Sequence, residues 1–448
     1  MTNVDPNALS AVEAARKIRN GELSSEQLVT ACLNQIVKTD DHLKAWAYLD
    51  REGALAQAKK CDNHRFRGKP LGPVHGVPVG LKDVIDTSDM PTCRGSVIFQ
   101  GRQTDQDARI VELLREAGAV ILGKTKTTEF AFMHPTDSVN PYNADHTPGG
   151  SSTGSAVAVS ACHVPLAVGT QTNGSVIRPA SYCGVYGFKP SRGLIPRTGI
   201  LQTSKTLDQV GVFARHAEDV ALIADVISGY DQRDNLSFSH ARPKVQEGWN
   251  TQAPVKPNLI WIDLPYHDRL SEDAKAGYSE VLEALGGQVE RVQGSKNLHD
   301  LIHVQRVIHE YEIVHHLDDI FSSSWDHVSQ TIKPVITRAR EITEQEYHDA
   351  LAIQQSAIEY FDVFFKDYDA VLAPSALGEA PLVSMGGTGD PICSTVWTTA
   401  GLPCLSLPLL MGNNDLPIGV QLIGAAEQDD RLLRTAHWML KTLEIEDS

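Results

Sequence analysis

The stretch from Thr147 to Pro190 constrains this chain more than any other. It opens Thr147-Pro148-Gly149-Gly150-Ser151-Ser152-Thr153-Gly154-Ser155 and closes Gly169-Thr170-Gln171-Thr172-Asn173-Gly174-Ser175-Val176-Ile177-Arg178-Pro179-Ala180. Between these turns the small residues Ala156 to Ala161 predict a helix, followed by a strand, with side chains suited only to close packing. Glycine serves backbones that approach something closely or need positive φ. Consecutive N–H groups in such turns can line a concave site for an anion or a developing oxyanion. A flexible linker shares the Gly and Ser but does not enclose a segment such as Ala156-Val157-Ala158-Val159.

A second constraint lies upstream, in Val77-Pro78-Val79-Gly80-Leu81-Lys82-Asp83. Val77, Val79 and Leu81 alternate as in a strand, which puts Lys82 on the opposite face with few polar neighbours. One reading is a snorkelling lysine, or one paired with Asp83 or Asp86. The other is a buried lysine held neutral as a base. Burial disfavours the ammonium and moves its pKa from ~10.4 toward neutrality.

Two motifs mislead. Gly118-Ala119-Val120-Ile121-Leu122-Gly123-Lys124-Thr125 satisfies GxxxxGK[ST], but a phosphate-binding loop needs a strand before its first glycine. Here residues 107–117 read as a helix with Val111, Leu114 and Ala117 on one face, and Ala119 to Leu122 read as the strand. Gly150-Ser151-Ser152-Thr153-Gly154 fits the GxSxG elbow, which follows a hydrophobic strand directly. The breaker-rich loop Asn140 to Pro148 precedes it instead. With 17 histidines present, a triad histidine stays open, although none has a distinctive context.

Composition bounds the function. The 448 residues, 42% hydrophobic and 21% charged, are ample for a globular core. A net charge of -16 argues against nucleic-acid and acidic-membrane partners. No apolar run is long enough to span a membrane. Met1 to Pro6 shows neither the basic nor the apolar part of an export signal. The seven cysteines form no CxxC pair, which fits reduced thiols and a cytoplasmic setting.

Taken in order, Gly-Val-Pro-Val-Gly-Leu-Lys82-Asp, Gly149-Gly150-Ser151-Ser152, Gly174-Ser175 and Cys183-Gly-Val-Tyr-Gly-Phe-Lys-Pro resemble the amidase signature family. Gly401-Leu402-Pro403-Cys404-Leu405-Ser406-Leu407-Pro408 and Leu416 to Gly424 resemble the end of that family's chains, with a weaker match from 233 to 365. The resemblance implies one large α/β domain over 1–448, a mixed, mostly parallel central sheet flanked by helices. Within it, 1–65 would be N-terminal helices, 66–230 the catalytic core, 231–367 a variable specificity region and 368–448 a return to the sheet. It also implies a triad of Ser175 as nucleophile, Ser151 on a cis peptide after Gly150 as the bridging serine, and Lys82 as base. The N–H groups of Thr172, Asn173, Gly174 and Ser175 would form the oxyanion hole, and no metal or organic cofactor is called for. A serine hydroxyl is a poor nucleophile until a base takes its proton, so the chemistry is coherent on the residues alone. Singly, each serine also reads as a turn or helix cap; their joint placement with Lys82 lifts them above that.

The implied function is hydrolysis of an amide or carbamate C–N bond, and of esters by the same route, by a monomer or homodimer acting on a small molecule. The alternatives are the amidase component of a tRNA-dependent amidotransferase, and a non-catalytic binding protein on the same fold. The chain departs from the family in its second turn, where Asp-Thr-Gly-Gly-Ser-Ile-Arg is usual. Gln171 lacks the carboxylate, Asn173 replaces glycine, and Arg178 comes one place late.

The remaining segments are read from periodicity. Helices are expected after Asp5-Pro6, after the Ser24/Gln27 capping box, over 51–61 and over 271–285, and strands over 258–262 and 371–374. His303, His309, His315 and His316 read as a solvated helix face rather than a metal cluster. Phe130, Phe132, Met133, Gly149, Gly150, Trp397 and the loop from Gly378 to Asp390 are candidates for the substrate pocket.

Overall fold

The structure is a computed structural model that describes residues 5–444; the reading of Met1 to Val4 therefore lies outside the described residues. Eleven strands form one sheet: β1 Trp46–Leu49, β2 Pro78–Lys82, β3 Val120–Thr125, β4 Leu166–Gln171, β5 Tyr186–Lys189, β6 Gln209–Ala214, β7 Leu259–Asp263, β8 Val289–Gln293, β9 Ala370–Pro374, β10 Cys404–Met411 and β11 Pro417–Ile423. Their order is β1-β3-β2-β4-β6-β5-β10-β11-β9-β7-β8. The expected mixed sheet is present, and its parallel pairings sit in two wings. β2 runs parallel with β3 and β4, and β7 with β8 and β9. From β4 through β9 every neighbour is antiparallel.

Sequence patterning explains the layers. Every residue of β2, β3, β4, β6, β9 and β11 is buried, as expected of strands covered on both faces. The helix Ser25–Leu43 begins with the Ser24/Gln27 capping box, and helices at Arg51–Phe66 and Glu272–Leu285 stand where periodicity places them. The P-loop look-alike is the helix Arg109–Glu116, a turn at Gly118 (φ +83) and β3. No phosphate loop exists there, and Lys124 is buried, donating to Ile85 O and to Thr92 Oγ1.

The chain path from β3 to β5 brings the two glycine-serine turns together. The buried helix Thr153–Ser160 runs back along the sheet into β4, so the start of the helix lies beside the end of β4. Ser152 fastens this junction: its hydroxyl donates to Thr170 O (3.0 Å) and accepts from Thr170 N (3.2 Å). Two glycines are required by close approach. A Cβ on Gly154 would lie 2.1 Å from Ala45 O, and one on Gly169 2.5 Å from Ser152 Oγ. Leu81 pairs with Val168 in parallel register, so β2 and β4 deliver Lys82 and Thr170 to the same edge. Open α/β sheets place their sites at such carboxyl ends.

No helix among the described residues is long and apolar enough to cross a membrane.

Candidate active site

Lys82 is fully buried at the end of β2. Its Nζ donates to Ser151 Oγ (2.7 Å) and Thr170 Oγ1 (2.7 Å), with Thr170 O at 3.4 Å. It forms no ion pair with Asp83 or Asp86. Asp83 accepts from Cys93 N, and Asp86 pairs with Arg102. Burial pushes the Lys82 amine down to about 7, partly opposed by the charge of Asp208. An amine near neutrality and one hydrogen bond from a hydroxyl is able to take up its proton.

Ser151 follows Gly150 through a cis peptide bond and is nearly inaccessible. Ser175 is half-buried and lines the cavity. Ser152 N donates to Ser175 O (3.4 Å), which places the two turns side by side. The Ser175 hydroxyl makes no hydrogen bond among the described residues, so its contact with Ser151 is open in this structure. Ser152, buried and doubly bonded to Thr170, is not available as an elbow nucleophile. Among the described residues, none of the N–H groups of Thr172, Asn173, Gly174 and Ser175 donates to a backbone or side-chain acceptor, whereas Val176 N and Ile177 N are both taken. Those two bonds end on Gln171.

The departures in the second turn thus acquire a physical role. Gln171 Oε1 accepts from Val176 N (2.7 Å) and Ile177 N (3.0 Å), and its Nε2 donates to Thr398 Oγ1 (2.9 Å). A neutral amide does here what a carboxylate would do, closing the turn onto the helix Ile177–Tyr182, and adds a tie to Thr398. Asn173 is pulled away from the turn: its Nδ2 donates to Gln305 Oε1 (3.1 Å) and its Oδ1 accepts from Thr395 Oγ1 (2.8 Å). Thr172 Oγ1 donates to buried Asp208 (2.5 Å). Gln171→Ala would strand two buried N–H groups at about 1–3 kcal/mol each. We expect a denaturant midpoint clearly below wild type with an unchanged m-value; an unchanged midpoint would show that the turn is held by other means.

A cavity of about 560 Å3 opens over Ser175, walled by Phe132, His309, Gln305, Thr388 and Pro391, a volume suited to a small ligand. Several expectations need correcting here. Phe132 and Met133 line it, but Phe130 is fully buried between Phe99 and Phe321. Trp397 is likewise core, edge-on to Phe361. Gly149 and Gly150 lie behind the cavity, Gly150 O accepting from Arg178 (2.7 Å). The loop supplies only its end, Gly386 to Asp390. His309 is not on a solvated face: it is buried, edge-on to Phe132 at 5.2 Å, with Nε2 3.3 Å from Thr203 Oγ1. Burial pushes it down to about 4, so it stays neutral near pH 7. Among the described residues, no three His, Cys, Asp or Glu side chains converge as a metal site would need.

Fold and site together define an enzyme that hydrolyses amide C–N bonds, and comparison with known proteins gives the family. An amidase family model matches residues 27–433, and the chain belongs to the amidase signature family. It is 31% identical to one of the subunits of the glutamyl-tRNA(Gln) amidotransferase of Natranaerobius thermophilus, over 98% of this chain and 96% of that one. It superposes on the peptide amidase of Stenotrophomonas maltophilia with a TM-score of 0.85 and 26% identity, covering 98% of each chain. Against a structure described as a vestigial protein complex revealing the origins of an s-triazine catabolic enzyme, the TM-score is 0.91, with 26% identity, 98% of this chain and 99% of that one. The amidotransferase relative overturns one expectation, since its name carries both a tRNA and a multi-chain assembly. The chain's acidity therefore does not exclude nucleic-acid or protein partners. Net charge sums over the whole surface and says nothing of a local patch or of a tRNA held through another chain.

Proposed function

We propose that this chain cleaves the C–N bond of a small amide through an acyl-enzyme on Ser175, with Ser151 relaying protons to Lys82. The observation that carries this reading is the dry Lys82 amine 2.7 Å from Ser151, directly behind a cavity that opens on Ser175. A neutral lysine keeps two N–H groups for the two oxygens of Thr170 and turns its lone pair to the Ser151 hydroxyl. As Ser175 Oγ attacks the carbonyl carbon, its proton passes to Ser151, and that of Ser151 to Lys82. The relay needs the Ser175 hydroxyl to swing onto Ser151, a contact of the kind that tightens only when substrate is bound. The carbonyl oxygen takes up negative charge against the free N–H groups of residues 172–175, where one donor is typically worth on the order of a hundredfold or more in rate. Ser151 then returns a proton to the leaving nitrogen, and water repeats the sequence on the acyl-enzyme. A carbamate presents the same bond and falls within the same chemistry.

The family relatives favour a second setting, that of an amidotransferase component releasing ammonia from glutamine for a partner, and favour it more directly than a free carbamate hydrolase. Ammonia release from a panel of primary amides including glutamine, measured on the chain alone and on any complex that co-purifies, separates the two. Hydrolysis by the isolated chain supports the free enzyme; glutamine turnover only within a complex supports the amidotransferase setting. No amide turnover in either form would sink both and return the chain to a binding role.

The pH dependence follows from Lys82. The active base is the neutral amine, populated above its pKa, so activity is lost as pH falls. kcat/KM for a neutral amide is expected to rise about tenfold per pH unit below about 7 and to flatten above it. His309, neutral throughout that window, adds no second step. A profile flat from pH 5 to 9 would remove Lys82 as the base.

A further inference from the structure

Arg178 is a buried cation with two donor nitrogens unused among the described residues. It is 5% exposed and lines the cavity beside Ser175 and Gly174. Only Nη2 is satisfied, donating to Gly150 O (2.7 Å) and Thr388 Oγ1 (3.0 Å). Nε and Nη1 have no acceptor among the described residues. Among the described residues, no carboxylate pairs with it. Asp390, the carboxylate felt at the guanidinium, is bound to Arg269 at 2.6 Å. Gln171, where the family usually has an aspartate, is engaged with Val176, Ile177 and Thr398. An isolated buried cation is costly unless something supplies its counter-charge.

The rest of the wall tilts the same way. Arg338 is matched by Glu310, and Asp390 by Arg269, so these charges cancel in pairs. Arg306, on the same helix as Gln305 and His309, reaches the cavity with His303 Nδ1, at 3.1 Å, as its partner among the described residues. Among the described residues, the cavity thus keeps two positive charges without a counter-ion and no free carboxylate. We propose that it selects amide substrates that carry a carboxylate and no ammonium, held by the field of Arg178 at the floor and Arg306 at the rim. This rests on the amide-hydrolase reading above and deepens it by naming the substrate class. Asp390 and Glu310, being paired already, leave nothing to balance the ammonium of a zwitterion such as glutamine. Segment 231–367 contributes Gln305, Arg306, His309, Glu310 and Arg338 to the wall.

The test compares succinamate, butyramide and glutamine, which share an amide end and differ in charge. With the full chain, kcat/KM for succinamate is expected to exceed that for either of the others about tenfold or more, the scale of one charge-assisted hydrogen bond, and to fall with added salt. Arg306→Gln, a change at an exposed position that leaves the fold intact, is expected to reduce that ratio several-fold. Arg178→Met should reduce it further, and Arg178→Lys should restore part of it. Calorimetric titration of the same three compounds into Ser175→Ala protein reads binding without turnover, so failure of the hydrolase reading leaves this arm decisive. Butyramide or glutamine matching succinamate in both measurements, or a ratio unmoved by both arginine changes, overturns the proposal. So does the absence of succinamate binding at millimolar concentration.

Discussion

Lys82→Met is expected to lower kcat/KM for a primary amide by roughly a thousandfold or more, with the protein still folded. Methionine is unbranched like lysine and one heavy atom shorter, so it occupies most of the same dry space at the end of β2 and packing is largely preserved. What disappears is the amine 2.7 Å from Ser151 Oγ. Burial already disfavours the charged form of Lys82, so no ion-pair energy is lost; the cost is that Ser151 Oγ and Thr170 Oγ1 each lose a buried partner, at about 1–3 kcal/mol per stranded group. The loss should be larger for an amide than for an ester of the same acyl group. An amine leaves only after it is protonated, and in the proposed relay the proton it receives is the one first stored on Lys82; an alkoxide asks less of that step. Matched amide and ester kinetics on both proteins provide the measurement. Amide turnover within tenfold of wild type would show that the base lies elsewhere, and an equal loss on both substrates would restrict Lys82 to activating Ser175.

How much of this is legible in the sequence depends on the range of the interaction. Lys82, Ser151 and Ser175 stand out because a lysine in an apolar strand and two glycine-serine turns are local oddities. The site they form follows from chain direction alone, since the helix Thr153–Ser160 must run back before β4. Asp208, Gln305 and Thr398 are invisible to such a reading, because each acts through one or two bonds to the second turn from a distant segment. Nothing in their own neighbourhoods marks them. Arg178 is visible as a displaced residue but not as an unpaired charge, which needs the full inventory of neighbours. Phe130 and Trp397 suggest the pocket by proximity to motifs, yet large aromatic side chains are claimed first by the core. His309 misleads because the helix Lys296–Ser323 buries residues around much of its circumference, so its period reveals no solvated face.

Ser175→Ala is expected to abolish turnover, a fall on the order of a millionfold when the nucleophile of a cooperating set is removed. The same change should leave folding intact, since the Ser175 hydroxyl makes no hydrogen bond among the described residues and the turn is held instead by Gln171. Labelling with a fluorophosphonate, followed by peptide mapping, distinguishes this serine from its rivals. Wild type should carry the adduct on Ser175, and Ser175→Ala should carry none. Ser151 lies behind the cavity with its hydroxyl on Lys82, and Ser152 is locked to Thr170, so neither can reach a phosphorus atom in the cavity. Ser152→Ala should therefore still label on Ser175 and lose only what a loosened junction costs. An adduct on Ser152 in wild type would restore the elbow reading and require the helix Thr153–Ser160 to open at its start. Lys82→Met should label far more slowly at Ser175, because the probe needs the same proton removed as the amide does. Rapid labelling of that variant, together with inactive amide turnover, would assign Lys82 to the leaving-group step alone.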